Sequence, residues 1–251
     1  MKYGFGFLSA VPLRKTASDR SQMVSQLIFG EVVEVLDVIA ENWVLVKNAY
    51  DGYEGYLDPK QLLSIDQENF YRLSEIHFTN PKVGMLNTSK GNYLIPAASN
   101  LPDKEFIIND IHFRYEDELR EISKIEKNLI SEVARSYLNT PYLWGGKTSF
   151  GLDCSGFVQS VFKICGIKVL RDTAEQAKQG EIVDFIEEVE SGDLAFFDDE
   201  MTNINHVGIV LNSDTIIHAS GKVRTDKIDH QGIYNSEMGK YTHNLRVIKR
   251  Y

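Results

Sequence analysis

Two cysteines in 251 residues are too few for a disulfide framework. They fit a reducing compartment, with at least one thiol free for chemistry. No apolar run approaches the roughly 18 residues that a membrane helix needs. No basic run occurs either, and the net charge is -9. That balance speaks against nonspecific binding to nucleic acid or to an anionic membrane. The acidic residues are scattered and read as solvated faces. Metal motifs of the CxxC or HExxH kind are absent, and so are low-complexity segments. The opening MKYGFGFLSAVPLRK has only a short apolar stretch, ends in Pro12 and basic residues, and reads as a first strand. A cytoplasmic protein is therefore expected, or a secreted one if a leader has been removed.

What is present is ordinary for a globular chain: 43% hydrophobic and 25% charged residues, enough for one large domain or a few small ones. Three blocks follow one another. From Met1 to about Ser64, short alternations such as Trp43-Val-Leu-Val46 are separated by Asp51-Gly52, Gly55 and Asp58-Pro59. Short strands with frequent turns argue for a small β-barrel or sandwich. Residues 66–114 look similar, broken at Asn80-Pro81, Ser89-Lys-Gly-Asn92 and Leu101-Pro-Asp103. The third block changes character. Its apolar spacing predicts a helix over 115–138, stopped by Asn139-Thr-Pro141. A Gly-rich loop and a second helix opening at or beside Cys154 follow. Strands are expected around 193–197, 206–211, 215–219 and 244–249. The fold class is α+β.

Cys154 sits between the Gly-rich loop and the helix. Unpaired N–H groups and the helix dipole favour a thiolate there. Cys165, on the apolar stripe of that helix, reads as core. A nucleophilic thiol needs a base. His77 and His112 in the β blocks, and His230 and His243 in polar loops, read as surface or structural residues. His206 and His218 differ, because each lies in an apolar strand pattern. Asn212-Ser-Asp214 between them reads as a hairpin turn, which would bring them opposite or diagonal, within roughly 8 Å. One imidazole would act as base and the other would orient it. A zinc site on Cys and two His is the competing chemistry, disfavoured by the missing ligand motifs. No metal and no cofactor are expected.

The runs Pro141-Tyr-Leu-Trp-Gly-Gly146, Leu152-Asp-Cys-Ser-Gly-Phe157, Gly192-Asp-Leu-Ala-Phe-Phe197, Asn205-His-Val-Gly-Ile-Val210 and Ile217-His-Ala-Ser220 together resemble the NlpC family of bacterial cell-wall peptidases. The resemblance covers about residues 124–251. It implies a papain-like core with Cys154, His206 and His218 as the catalytic triad. Asn42-Trp-Val-Leu-Val-Lys47 with Asp51-Gly-Tyr-Glu-Gly-Tyr-Leu57 resembles a bacterial SH3-like domain. The implied organisation is one SH3-like barrel over 1–64, a second over 65–116, and the peptidase over 117–251. The arrangement is similar to γ-D-glutamyl-L-diamino acid endopeptidases, which trim murein peptides with a free N-terminal L-Ala.

That resemblance implies Tyr53 at the substrate amine, Asp153 and Ser155 beside the nucleophile, and Trp144 lining the same pocket. It implies that the Tyr142 hydroxyl and a backbone N–H at Cys154 hold the oxyanion. Tyr53 and Trp144 would otherwise be packing aromatics, and Asp153 a helix cap. One departure stands out: the subgroup's acidic partner for its tyrosine is sought in Met23-Val-Ser-Gln26, which has none. Arg171-Asp-Thr173 with Gln176 also resembles a family segment, structural or substrate-side. The expected partner is a murein peptide, in recycling inside the cell. The alternatives are a secreted hydrolase of intact wall and a wall-binding protein with a silent catalytic domain.

Overall fold

The computed structural model describes residues 1–40, 42–75, 78–198 and 203–251. The chain divides into two compact units, Met1–Ser123 with Trp144–Ser149, and Lys124–Leu143 with Phe150–Tyr251.

The first unit is built almost wholly of antiparallel strands. Seven of them form one sheet, in the spatial order Met23–Ile28, Ala10–Arg14, Glu54–Leu57, Trp43–Asn48, Val32–Ala40, Tyr3–Gly6 and Leu62–Ile65. Alternation explains its core: Val44 and Val46 point inward with Val11, Leu13, Leu27, Val33 and Leu57. A four-stranded sheet (Gly91–Ile95, Gly84–Thr88, Ile111–Tyr115, Glu105–Ile108) and a three-stranded sheet (Asn100–Leu101, Phe78–Thr79, Arg120–Glu121) follow. A short helix, α1 (Gln67–Ser74), is capped by Asp66. The two segments read as separate blocks share one core, in which Tyr3, Phe5 and Phe29 meet Leu86, Ile95, Phe106 and Phe113.

Residues 144–149 are held in this unit by a buried ion pair. Lys147 Nζ lies 3.1 Å from Glu31 Oε1, both side chains nearly inaccessible. Glu31 Oε2 also accepts from the Ile28 N–H and the Asn48 amide, which helps to compensate the buried charge. Gln26 accepts from the Lys147 N–H. Gly145 of the Gly-rich loop has φ +77, and a Cβ there would lie 2.7 Å from the Met23 carbonyl oxygen. The position needs glycine on both counts.

The helix expected over 115–138, which spans the end of the first unit and the start of the second, is much shorter. Residues 111–115 and 120–121 are strands, and only α2 (Ile130–Ser136) is helical, preceded by a 3₁₀ turn at Lys127–Leu129. Arg120 and Glu121 pair with Thr79 and Phe78, so sheet hydrogen bonds replace helical ones there. Ile125, counted in the helical stripe, is 64% exposed. The stop at its end is as expected, with Asn139 left-handed at φ 67 just before Pro141. Next come α3 (Cys154–Ile164), buried on all sides, and the single turn α4 (Thr173–Gln176).

Six strands then close on themselves. Leu194–Asp198, Ile204–Asn212, Thr215–Ser220, Lys222–Ile228, Gly232–Asn235 and Lys240–Arg250 pair in sequence, and the last pairs back to the first. Glu181–Val183 adds an outer strand on Lys240–Arg250. Ala195, Phe197, Val210, Ile216, Ile228, Ile233 and Ile248 form a core cluster of this barrel. Helix α3 packs on the strands that carry His206 and His218. Among the described residues, no helix is long and apolar enough to cross a membrane.

Candidate active site

Cys154 is the first residue of α3, and Asp153 caps that helix by accepting from the Gly156 N–H at 2.7 Å. The thiol is 6% exposed. Its Sγ lies 3.7 Å from the Thr173 hydroxyl and 4.0 Å from the carbonyl oxygen of Asn205, the residue before His206. Burial pushes the Cys154 pKa up and the Asp153 charge adds to this; the Thr173 hydroxyl, the Val207 N–H and Arg171 pull it back. The α3 dipole acts in the same direction as those three.

His206 is 7% exposed. Burial, followed by the neighbouring His218 and His243, holds its pKa well below the ordinary imidazole value. Both shifts, caused first by burial, favour the neutral forms of the thiol and the imidazole.

The hairpin geometry explains how the two histidines meet. The strands turn at Asn212–Thr215, and Gly208 stands opposite His218. His206 is two residues away on the same face, hence diagonal. A Cβ at position 208 would lie 2.9 Å from the His218 Cβ, so glycine leaves the space. His206 Nε2 lies 2.8 Å from His218 Nδ1. His218 Nε2 lies 3.0 Å from Asp226 Oδ2. Arg224 clamps that carboxylate with two bonds, Nε to Oδ2 at 2.7 Å and Nη2 to Oδ1 at 3.0 Å, and its Nη1 reaches Glu237 at 3.1 Å. Burial alone would raise the Asp226 carboxyl. The hydrogen bonds from His218 and Arg224 outweigh it and hold the group below the ordinary carboxylate range.

His243 does not lie in a polar loop. It is on the strand Lys240–Arg250, with its ring stacked on His206 at 4.1 Å between centroids. Burial, then the neighbouring His218, push its pKa down to about 4. Ligand atoms of His206, His218 and His243 lie within 4.8 Å of one another. Two nitrogens 2.8 Å apart share a proton; donors to one tetrahedral zinc, each at about 2.0–2.1 Å, stand roughly 3.3 Å apart. His112 is on the exposed face of a sheet strand, and His77 lies outside the described residues.

A second polar cluster lies beside Cys154. Arg171, almost wholly buried, grips both oxygens of Asp153 at 2.7 and 3.0 Å and donates to Ser155 Oγ at 2.8 Å. Gln176 Nε2 donates to the Ser155 carbonyl. Tyr142 is half-buried; burial, then the charges of Cys154 and Asp153, push its phenol up to about 12. It is therefore a proton donor at neutral pH. Of the expected residues, Cys154, His206, His218, Tyr142, Asp153 and Ser155 fall in the second unit, and Tyr53 and Trp144 in the first. Tyr53 packs partly against the first sheet's core, and Trp144 is 58% exposed.

Sequence reasoning did not single out Asp226 or Arg224. The signal was the Arg-x-Asp alternation on the strand after His218, which places both side chains on one face. Arg171 was noticed without a role.

A helix-borne cysteine with strand-borne paired histidines is an arrangement that can support thiol nucleophile chemistry. Residues 139–246 match the NlpC/P60 family model, and residues 13–62 match the bacterial dipeptidyl-peptidase SH3 domain. The chain thus carries an NlpC/P60 domain preceded by a bacterial SH3 domain. NlpC/P60 peptidases are cysteine peptidases. The chain is 39% identical over 92 residues to the γ-D-glutamyl-L-lysine dipeptidyl-peptidase of Bacillus subtilis (strain 168), a match covering 36% of this chain and 31% of that one. It is 26% identical over 243 residues to dipeptidyl-peptidase 6 of Lysinibacillus sphaericus, covering 84% and 86% of the two chains. The solved structure of an NlpC/P60 family protein from Bacillus cereus ATCC 10987 shares the fold, with a TM-score of 0.82 at 20% identity over 99% of each chain.

Proposed function

We propose that this chain is a cell-wall cysteine peptidase that hydrolyses the bond between γ-D-glutamate and a diamino acid, diaminopimelate or lysine, in murein peptides with a free N-terminal L-Ala. The observation that carries the chemistry is Cys154 at the start of α3, with its Sγ against the strand that presents His206. The relatives' names, and the presence of an SH3 domain of the dipeptidyl-peptidase type, support the substrate class.

In this reading His206 takes the thiol proton and Cys154 attacks the γ-glutamyl carbonyl. The Tyr142 phenol and the backbone N–H of Cys154 stabilise the oxyanion. The protonated His206 gives its proton to the leaving amine. Water, activated by His206, then hydrolyses the acyl-enzyme. His218 orients His206. Asp153 and Ser155 shape the pocket beside the thiol. The domain assignment that accompanies this reading is an SH3-like barrel over 1–64, a second over 65–116 and a papain-like peptidase over 117–251. Cytoplasmic recycling of released peptides is the proposed setting.

Mass spectrometry of L-Ala-γ-D-Glu-diaminopimelate and its N-acetylated form, each incubated with the protein, tests this directly. Cleavage of the free-amine peptide alone supports the reading. Cleavage of both discards the amine pocket, and release of peptides from intact sacculi points to the secreted hydrolase instead.

A further inference from the structure

The histidine pair does not end the hydrogen-bonded chain. Beyond His218 stands Asp226, 4% exposed at its side chain and gripped by two bonds from Arg224. An ionised carboxylate only accepts hydrogen bonds. Its contact with His218 Nε2 therefore requires the proton on Nε2. In a neutral ring that leaves Nδ1 with a lone pair, 2.8 Å from His206 Nε2. His206 Nε2 must then carry its own proton, which leaves Nδ1 as the sole basic atom of His206.

We propose that Asp226, clamped by Arg224, is a positioning residue: it fixes the tautomer of His218 and through it the tautomer that makes His206 a base at Nδ1. The inference rests on the reading that His206 serves Cys154. The groups around the pair are few. His243 stacks on His206 and shares a hydrogen bond with Thr242 Oγ1 through Nδ1, at 2.9 Å. Glu237 binds the far side of Arg224, and Phe197 stands against both the His206 and the His243 rings. The His243 ring meets His218 edge-on at 5.6 Å between centroids, and among the described residues Asp226 is the hydrogen-bond partner of His218 Nε2. The arrangement extends the usual logic of an orienting third residue by one step, because the third residue here is a histidine with two possible tautomers of its own.

The test compares wild type with Asp226→Asn and Asp226→Glu. Long-range proton–nitrogen NMR correlations report the tautomer of each histidine. The alkylation rate of Cys154 against pH reports the thiol–imidazole pair without any substrate, and Cys165 is fully buried and silent. In the asparagine variant an amide N–H can face the ring, so His218 is expected to populate the Nδ1–H form. Peptide cleavage should fall at least tenfold, short of the roughly 10⁴-fold that a wrong tautomer costs in a serine triad. The alkylation profile should shift, and Asp226→Glu should restore most of the rate. A folded asparagine variant with unchanged His218 tautomer and unchanged alkylation profile overturns the proposal. Should that variant not fold, Arg224→Gln carries the test: it leaves the carboxylate unclamped and should lower cleavage severalfold, and full activity with a native His218 tautomer overturns the role of the clamp. A wild type that cleaves no peptide, yet shows an alkylation profile sensitive to Asp226, refutes the peptidase reading and leaves this one standing.

Discussion

Arg171 holds Asp153 by both carboxylate oxygens, at 2.7 and 3.0 Å, in an environment where the arginine side chain is only 1% exposed. The same carboxylate caps α3, so this ion pair fixes the turn from which Cys154 projects. Breaking a buried pair by removing one partner leaves an uncompensated charge, at a cost of about 3–5 kcal/mol. Arg171→Ala is expected to lose about that much stability in urea unfolding and to lower activity through a displaced Cys154. Asp153→Asn keeps the helix cap but removes the charge opposite the buried Arg171, so it should cost nearly as much.

Gly208→Ala tests the contact over which the histidines meet. The added Cβ would lie 2.7 Å from Ile216 Cδ1 and 2.9 Å from His218 Cβ. Overpacking of this kind costs about 1–3 kcal/mol. The expected result is a folded, less stable protein whose kcat falls more than its KM changes, because the His206–His218 bond is displaced rather than the substrate pocket.

Acid stability follows from His243. Its folded pKa of about 4 lies below the unfolded value of 6.5, so the unfolded chain binds the proton first. Its contribution is fully present above pH 6.5 and is lost as pH falls towards 4. Discounted for its partial exposure, it is on the order of 2 kcal/mol. The melting temperature of wild type should therefore fall across that window. In His243→Phe, which keeps a stacked ring, the fall should be shallower; an identical pH dependence would remove His243 from the account.

The pH dependence of the thiol is a separate matter. Cys154 is raised and His206 lowered, both by burial first, and both shifts favour the neutral forms. Alkylation of Cys154 should keep rising above the pH at which a free thiol levels off. A plateau already reached at pH 6 would instead indicate a preformed thiolate–imidazolium pair.

Much of the site was legible in the sequence because it is local. The Gly-rich loop, the Asp153 cap and the apolar stripe after Cys154 announce a helix start, and the His206 and His218 strands flank a readable turn. The diagonal pairing follows from period-two alternation once the turn is set. The helix over 115–138 was misread because apolar spacing alone does not know that Arg120 and Glu121 complete a sheet with Thr79 and Phe78, some 40 residues earlier. His243 was missed for a related reason. Its role depends on closure of the barrel, which brings the last strand back beside the first, and no local pattern encodes that return.

The most direct measurement is the release of free diaminopimelate from L-Ala-γ-D-Glu-diaminopimelate by wild type and by Cys154→Ala, followed by mass spectrometry under identical conditions. The account predicts steady release by the wild type and none by the variant, with the variant's unfolding curve close to that of the wild type. Equal release by both proteins would contradict it.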